Sequence, residues 1–169
     1  MLFRSPVLAN ASEQDFGRVE RLYGLFSGKR KAESALRALA ASHQLCLVQL
    51  GLEHRSGPRK PCFNWQLKRC KGVCVGKEAE SFHRVRLEAA LAKLRVQVWS
   101  YEGAIGLIER CAERTDVHVV NNWCYLGTVR SDEELRERLA SRMEPVFDLD
   151  TYKILVKPVM MGTVRIEAV

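Results

Sequence analysis

The chain has 169 residues, of which 47% are apolar and 28% charged, with 11 Gly and 5 Pro; such a composition buries a core and excludes collagen-like, wholly disordered and low-complexity chains. No run approaches the roughly 18 to 20 apolar residues of a membrane span, and the first residues hold no secretory apolar stretch, so a cytoplasmic protein with no membrane contact is expected. The net charge of +7 is uneven, because Lys29 to Arg95 carries 15 Lys and Arg against 5 acids and leaves 12 basic and 15 acidic residues elsewhere, which directs that segment at a polyanion, most often nucleic acid.

In chain order, Leu2 to Ala9 reads as a short strand broken by Pro6, and Asn10 to Asp15 as a loop, so residues 1–22 are expected to be peripheral. Ala32, Ala35, Leu36, Leu39 and Ala40 recur at helical spacing and predict a helix over Lys29 to His43, capped by Ser27 or Gly28. Leu50 to Pro61 is a Gly-, Pro- and Arg-bearing loop. A second helix is predicted over Ala79 to Leu94, with Phe82, Val85, Ala89 and Ala92 on one stripe and Leu87, Leu91 and Leu94 widening it.

Beyond Arg95 the texture becomes strand-like, at Val96 to Trp99, Ala104 to Glu109, Val117 to Val120 and Trp123 to Val129, with Asn121-Asn122 as a hairpin turn. Ser131 with Glu134 fits a capping box opening a helix to about Arg142, Asp150 is a candidate cap for a shorter helix stopped by Pro158, and Thr163 to Glu167 reads as a last strand. The expected fold is α+β: a peripheral segment over 1–22, a basic helical cysteine region over 23–97, and a small antiparallel sheet with flanking helices over 98–169.

Six cysteines in a reducing compartment argue for metal rather than disulfides. Cys46, Cys62, Cys70 and Cys74 are separated by 15, 7 and 3 residues and all lie in the basic half. Placed on one helical turn, Cys70 and Cys74 would present both thiols on one face. Four thiolates accept tetrahedral zinc or an iron-sulfur cluster alike. Only one close cysteine pair is present, which counts slightly against zinc, and four unrelated buried thiols are the plain alternative. Arg59, Lys68, Arg69 and Lys71 crowd the same segment and would balance an anionic thiolate site.

The stretch from Tyr23 to Cys46, YGLFSGKRKAESALRALAASHQLC, followed by PCFNWQLKRCKGVCVG from Pro61 to Gly76, resembles the cysteine block of the UvrC-type excision nucleases. The strings RVQVWSYEGAIGLIER, NNWCYLGTV and FDLDTYKILVKP are similar to the carboxyl-terminal half of the Cho-type members, and the resemblance covers residues 16 to 167. It implies a part in the 3′ incision of bacterial nucleotide excision repair, and a 4Fe-4S cluster held by Cys46, Cys62, Cys70 and Cys74. It also implies damaged or distorted DNA as a partner, with a UvrB-like helicase or a separately encoded nuclease beside it. The family's GIY-YIG nuclease module precedes the cysteine block, and this chain is expected to lack it, so no catalytic residue is assigned.

Lys29, Arg30 and Lys31 at a helix start, together with Arg59, Lys68, Arg69 and Lys71, are candidate phosphate contacts, which give affinity without sequence preference. Phe63 and Trp65 are candidates for stacking on bases, although a core role is the commoner use of such residues. A zinc-stabilised module that docks a protein and never touches DNA is the reading from another class. Tyr125-Leu126-Gly127 reads as a core strand rather than half a nuclease signature, and Asp148, Asp150 and Lys153 as a helix cap with a solvated lysine. His43, His54, His83 and His118 show no ligand spacing and read as surface or packing residues, and Cys111 and Cys124 as apolar fillers.

Overall fold

Helical periodicity in the first half and β-branched runs in the second give an α+β protein with one four-stranded antiparallel sheet. The computed structural model describes residues 6–54, 57, 60–141 and 145–169. Its contacts fall into two units, one of Tyr23–Val96 with the described residues up to Ala9, the other of Asn10–Leu22 with Gln97–Val169. Among the described residues no helix is long and apolar enough to cross a membrane.

In the first unit, helix α1 (Lys29–Ser42) begins at Gly28 without a side-chain cap and buries Leu36 and Ala40. It ends in a Schellman motif: Gln44 takes a left-handed φ of 51°, and the Leu45 N–H donates to the Ala40 carbonyl at 2.9 Å. Leu45 and Ala40, both fully buried, make the apolar contact that accompanies this ending. A single turn, α2 (Phe63–Gln66), and a longer helix, α3 (Glu80–Leu91), follow, with a 3-10 turn Ala92–Leu94 carrying α3 on. Leu36, Ala40, Leu45, Leu50, Leu87 and Ala90 form the apolar core, and each large side chain there contributes about 2 kcal/mol by leaving water.

The stripe expected on α3 is rotated. Phe82 and Val85 are 68% and 61% exposed, Ala89 and Ala92 also face solvent, and the buried residues are His83, Leu87 and Ala90. A histidine occupies the position that a count of apolar residues passes over. The unit closes where it opened, by a bridge between Tyr23 and Arg95 and a 2.7 Å bond from the Gly24 N–H to the Leu94 carbonyl.

The second unit is built on strands β1 (Ile105–Arg110), β2 (Thr115–Asn121), β3 (Cys124–Val129) and β4 (Arg165–Ala168), in the order β3-β2-β1-β4. β1 pairs antiparallel with β2 through Ile105↔Val120 and with β4 through Leu107↔Ile166. β2 pairs with β3 through a bulge at Val119/Val120, where Gly127 adopts a φ of 142° and a Cβ would meet the Arg138 guanidinium at 3.0 Å. Helix α4 (Asp132–Ala140) is capped by Ser131, whose Oγ accepts from the Glu134 N–H at 3.2 Å. The Glu134 carboxylate reaches back one residue further than a capping box requires, to the Arg130 N–H at 2.7 Å.

Several local expectations are corrected. The hairpin turn is Asn122-Trp123, with φ of 50° and 64°, because the ladder closes at Asn121↔Cys124 and the buried Trp123 indole donates to the Gln97 carbonyl at 2.9 Å. Val96 to Trp99 is not a strand. Its backbone N–H groups are spent elsewhere, Gln97 on the Tyr152 hydroxyl at 3.0 Å and Trp99 on the Phe16 carbonyl at 3.0 Å. Helix α5 (Leu149–Met161) is capped by Asp148, not Asp150, and runs through Pro158 to a left-handed Gly162. The missing proline N–H costs α5 one hydrogen bond, which the packing of Val159 against the core outweighs. Residues 6–9 are irregular, and residues 1–5 of the expected first strand and Arg142 of the expected helix end lie outside the described residues. Ala11–Glu13 form a 3-10 turn capped by Asn10, and the Phe16 ring beyond it stacks on Phe147 at 4.5 Å.

Candidate metal centre

Each of the four cysteines is delivered by a different local device. The Schellman turn at the end of α1 hands over Cys46, and the following residues coil tightly, with the Leu50 N–H on the Cys46 carbonyl at 3.1 Å. Cys62 is the N-cap of α2, and the next N–H, of Phe63, is held by the Glu53 carboxylate at 2.9 Å. Cys70 and Cys74 do not share a helical turn as expected. Gly72 stands between them with a φ of 84°, and Cys74 belongs to a 3-10 turn, Val73–Val75, closed by a left-handed Gly76. Only glycine fits at 72, because a Cβ would lie 2.6 Å from the Trp65 indole that covers this turn.

The result is convergence. The four Sγ atoms all lie within 4.8 Å of one another, and all four residues are buried, against Val73 with Val48, Trp65 and Val75 around them. Backbone donors point at the sulfurs, the Gly72 N–H at Cys70 Sγ (3.3 Å) and the Cys62 N–H at Cys74 Sγ (3.5 Å). Burial pushes the Cys46 thiol up to about 11 and raises Cys62 as well. Burial acts the same way on Cys74, but the Cys62 N–H and the other three thiols donate to it and together pull it down. The donor set is made only of soft sulfur and is buried throughout, which fits a soft metal centre.

A shell of polar contacts holds this arrangement from α3. His83, 3% exposed, accepts the Cys46 N–H on Nε2 at 3.0 Å. Arg86 donates to the carbonyls of His43 (3.2 Å) and Gln44 (3.3 Å) and to both carboxylate oxygens of Glu78. Glu78 is held below its usual value by these Arg86 hydrogen bonds. Sequence reasoning missed His83, Arg86, Glu78 and Glu53, since none has a spacing that marks it. The one available signal is that His83 lies four residues before Leu87 and seven before Ala90, the buried face of α3.

Of the basic residues singled out, Lys29, Arg30, Lys31, Lys68, Arg69 and Lys71 are all exposed, and none forms an ion pair among the described residues. Arg59 lies outside the described residues. Phe63 is 59% exposed, whereas Trp65 packs on the cysteine cluster. Cys111 is exposed and so is not the filler expected; Cys124 is buried. Asp148 caps α5 through the Thr151 N–H at 2.7 Å and Asp150 pairs with Lys153 at 2.8 Å, so the carboxyl-terminal acids serve the helix.

Residues 5–93 match the family described as UvrC/Cho excinuclease, middle domain, and residues 104–169 match the Excinuclease Cho C-terminal domain. The chain is 44% identical over 156 residues to Excinuclease cho of Escherichia coli (strain K12), an alignment covering 92% of this chain and 52% of that protein. Against Excinuclease cho of Salmonella typhimurium (strain LT2) it is 42% identical over 159 residues, 94% of this chain and 53% of the relative. The chain therefore spans about half the length of the curated relatives it matches. No solved structure matches it. With the middle-domain match alone extending over more than half of its residues, the chain belongs to the UvrC/Cho excinuclease family.

Proposed function

We propose that this chain is a DNA-contacting module of an excision-repair endonuclease, in which Cys46, Cys62, Cys70 and Cys74 hold a 4Fe-4S cluster that fixes a basic surface. The observation that carries the reading is the coincidence of four buried, converging thiols with exposed Lys68, Arg69 and Lys71 in one segment. A cluster of this kind supplies a rigid, anionic anchor. The residues around it do the work: the flanking cations offset its charge and meet phosphates, Trp65 shields it from water, and Phe63 offers a face to an unstacked base.

At the start of α1, Lys29, Arg30 and Lys31 face an uncapped helix terminus with no acid in the first turn, a repulsive arrangement that a polyanion relieves. Binding of a duplex carrying a bulky distortion should weaken steeply with salt, about tenfold or more between 50 and 200 mM; affinity indifferent to salt would refute phosphate-driven contact. A UvrB-like helicase is a partner that fits this reading, in the cytoplasm.

One observation favours a second reading. All four sulfurs lie within 4.8 Å of one another, closer than the roughly 6 Å between ligand sulfurs on the corners of an iron-sulfur cubane and nearer the edge of a single tetrahedral zinc site, about 3.8 Å. A zinc-stabilised protein-docking module is therefore the alternative. Iron, sulfide and zinc analysis after anaerobic purification separates the two: about four irons with visible absorbance supports the cluster, and one zinc without colour supports the alternative.

A further inference from the structure

Three of the four cysteines sit on one short segment whose own turns bring them together, Cys62 as the cap of α2 and Cys70 and Cys74 on either side of Gly72. Cys46 is different. It arrives from 16 residues earlier in the chain, and the loop joining it to Cys62 is long and rich in Gly, Pro and charge. The Schellman turn at the end of α1 brings its backbone to the site. A contact on the Cys46 backbone itself comes from α3: the buried His83 imidazole accepts the Cys46 backbone N–H at 3.0 Å. The Arg86 guanidinium, one turn along, holds the carbonyls two and three residues before Cys46.

We infer that His83 is a positioning residue for the metal centre, mounting Cys46 on α3 so that the first ligand is held in place by the protein itself rather than by the metal. This rests on the metal-centre reading of the four thiols. The geometry gives it content. An N–H that donates to Nε2 needs that nitrogen free of a proton, so the ring takes part as a neutral acceptor and is not itself a ligand on that atom. Satisfying the Cys46 N–H also removes the cost of burying it unpaired. Outer contacts of this kind govern how firmly a ligand is presented and so how readily a bound metal escapes.

The test uses the full chain as purified, with His83→Leu, which fills the volume without an acceptor, and His83→Gln, whose amide oxygen restores one. The first readout is amide exchange at Cys46, with the Leu45 amide, bonded to the Ala40 carbonyl at 2.9 Å, as internal reference. Expected is about tenfold faster exchange at Cys46 in His83→Leu with Leu45 unmoved, and recovery in His83→Gln. The second readout is release of bound metal to a chelator, faster by about tenfold in His83→Leu and near the parent rate in His83→Gln. Unchanged Cys46 exchange in His83→Leu, or equal acceleration at Cys46 and Leu45, overturns the mount. Should the parent chain carry no metal, the reading of the thiols as a centre fails, while the amide comparison still decides whether His83 holds Cys46.

Discussion

Replacing Arg86 by Met tests how much of the first unit hangs on the α3 polar shell. The Arg86 and Glu78 side chains are 22% and 9% exposed, and the pair is bidentate, with Nη2 on Oε2 at 2.9 Å. Breaking a fully buried pair costs about 3–5 kcal/mol; the partial exposure of Arg86 moves this site to the lower end, and the released carbonyls of His43 and Gln44 regain water and add little. We expect a loss of about 3 kcal/mol for Arg86→Met and about 2 kcal/mol for Glu78→Gln, with the double variant near 3 kcal/mol because no orphan charge is left, a coupling of about 2 kcal/mol.

Urea unfolding followed by circular dichroism measures all four corners of this cycle. The pH dependence carries a sign. Glu78 ordinarily titrates near 4.5 and is held lower here by the Arg86 hydrogen bonds, so its contribution is present above pH 4.5 and is lost as pH falls through the lowered value. Glu78→Gln should flatten that acid limb. A coupling below about 0.5 kcal/mol, within the range of independent sites, would refute the claim that the pair acts as a buried clamp.

Gln44→Gly should stabilise the chain by about 0.5–1 kcal/mol, read as a raised urea midpoint, because Gln44 holds a left-handed φ of 51° that costs a side-chain-bearing residue energy and glycine little. Tyr152→Phe should cost about 1–2 kcal/mol, seen as an earlier transition in Trp fluorescence, since it strands the Gln97 N–H that the hydroxyl accepts at 3.0 Å. In the presence of chelator, stability should hold below pH 9 and decline as pH rises towards 11, because burial favours the neutral Cys46 thiol, raised from 9.0 to about 11. The metal-loaded chain should respond in the opposite sense, releasing metal as acid protonates its ligands.

The convergence of the thiols was legible because spacing and cysteine chemistry are local facts. How the chain achieves it was not. A helical turn is the default between residues four apart, and only the requirement that Trp65 lie over residue 72 shows why a left-handed glycine stands there instead. The same distinction runs through the fold. α1 and the strands β1 to β3 follow from periodicity, since their own residues decide which face is buried. The α3 stripe went astray at His83 because a buried imidazole looks polar until its donor, 37 residues away, is known. Val96 to Trp99 has strand composition, yet its N–H groups are claimed by a tyrosine hydroxyl and by the Phe16 carbonyl, partners that composition does not reveal.

The second unit is discontinuous: Asn10–Leu22 belongs to it, and the chain then leaves to make Tyr23–Val96 before returning. On the ribosome, Phe16 emerges long before Phe147, the ring it stacks on at 4.5 Å, has been synthesised. The intervening excursion, tied at its neck by the Tyr23–Arg95 bridge, is complete first and can mature while Phe16 is still waiting. Vectorial synthesis therefore favours the cysteine-bearing excursion as the earlier folding event, and deleting Asn10–Leu22 would cripple the sheet unit whose sequence lies almost entirely downstream.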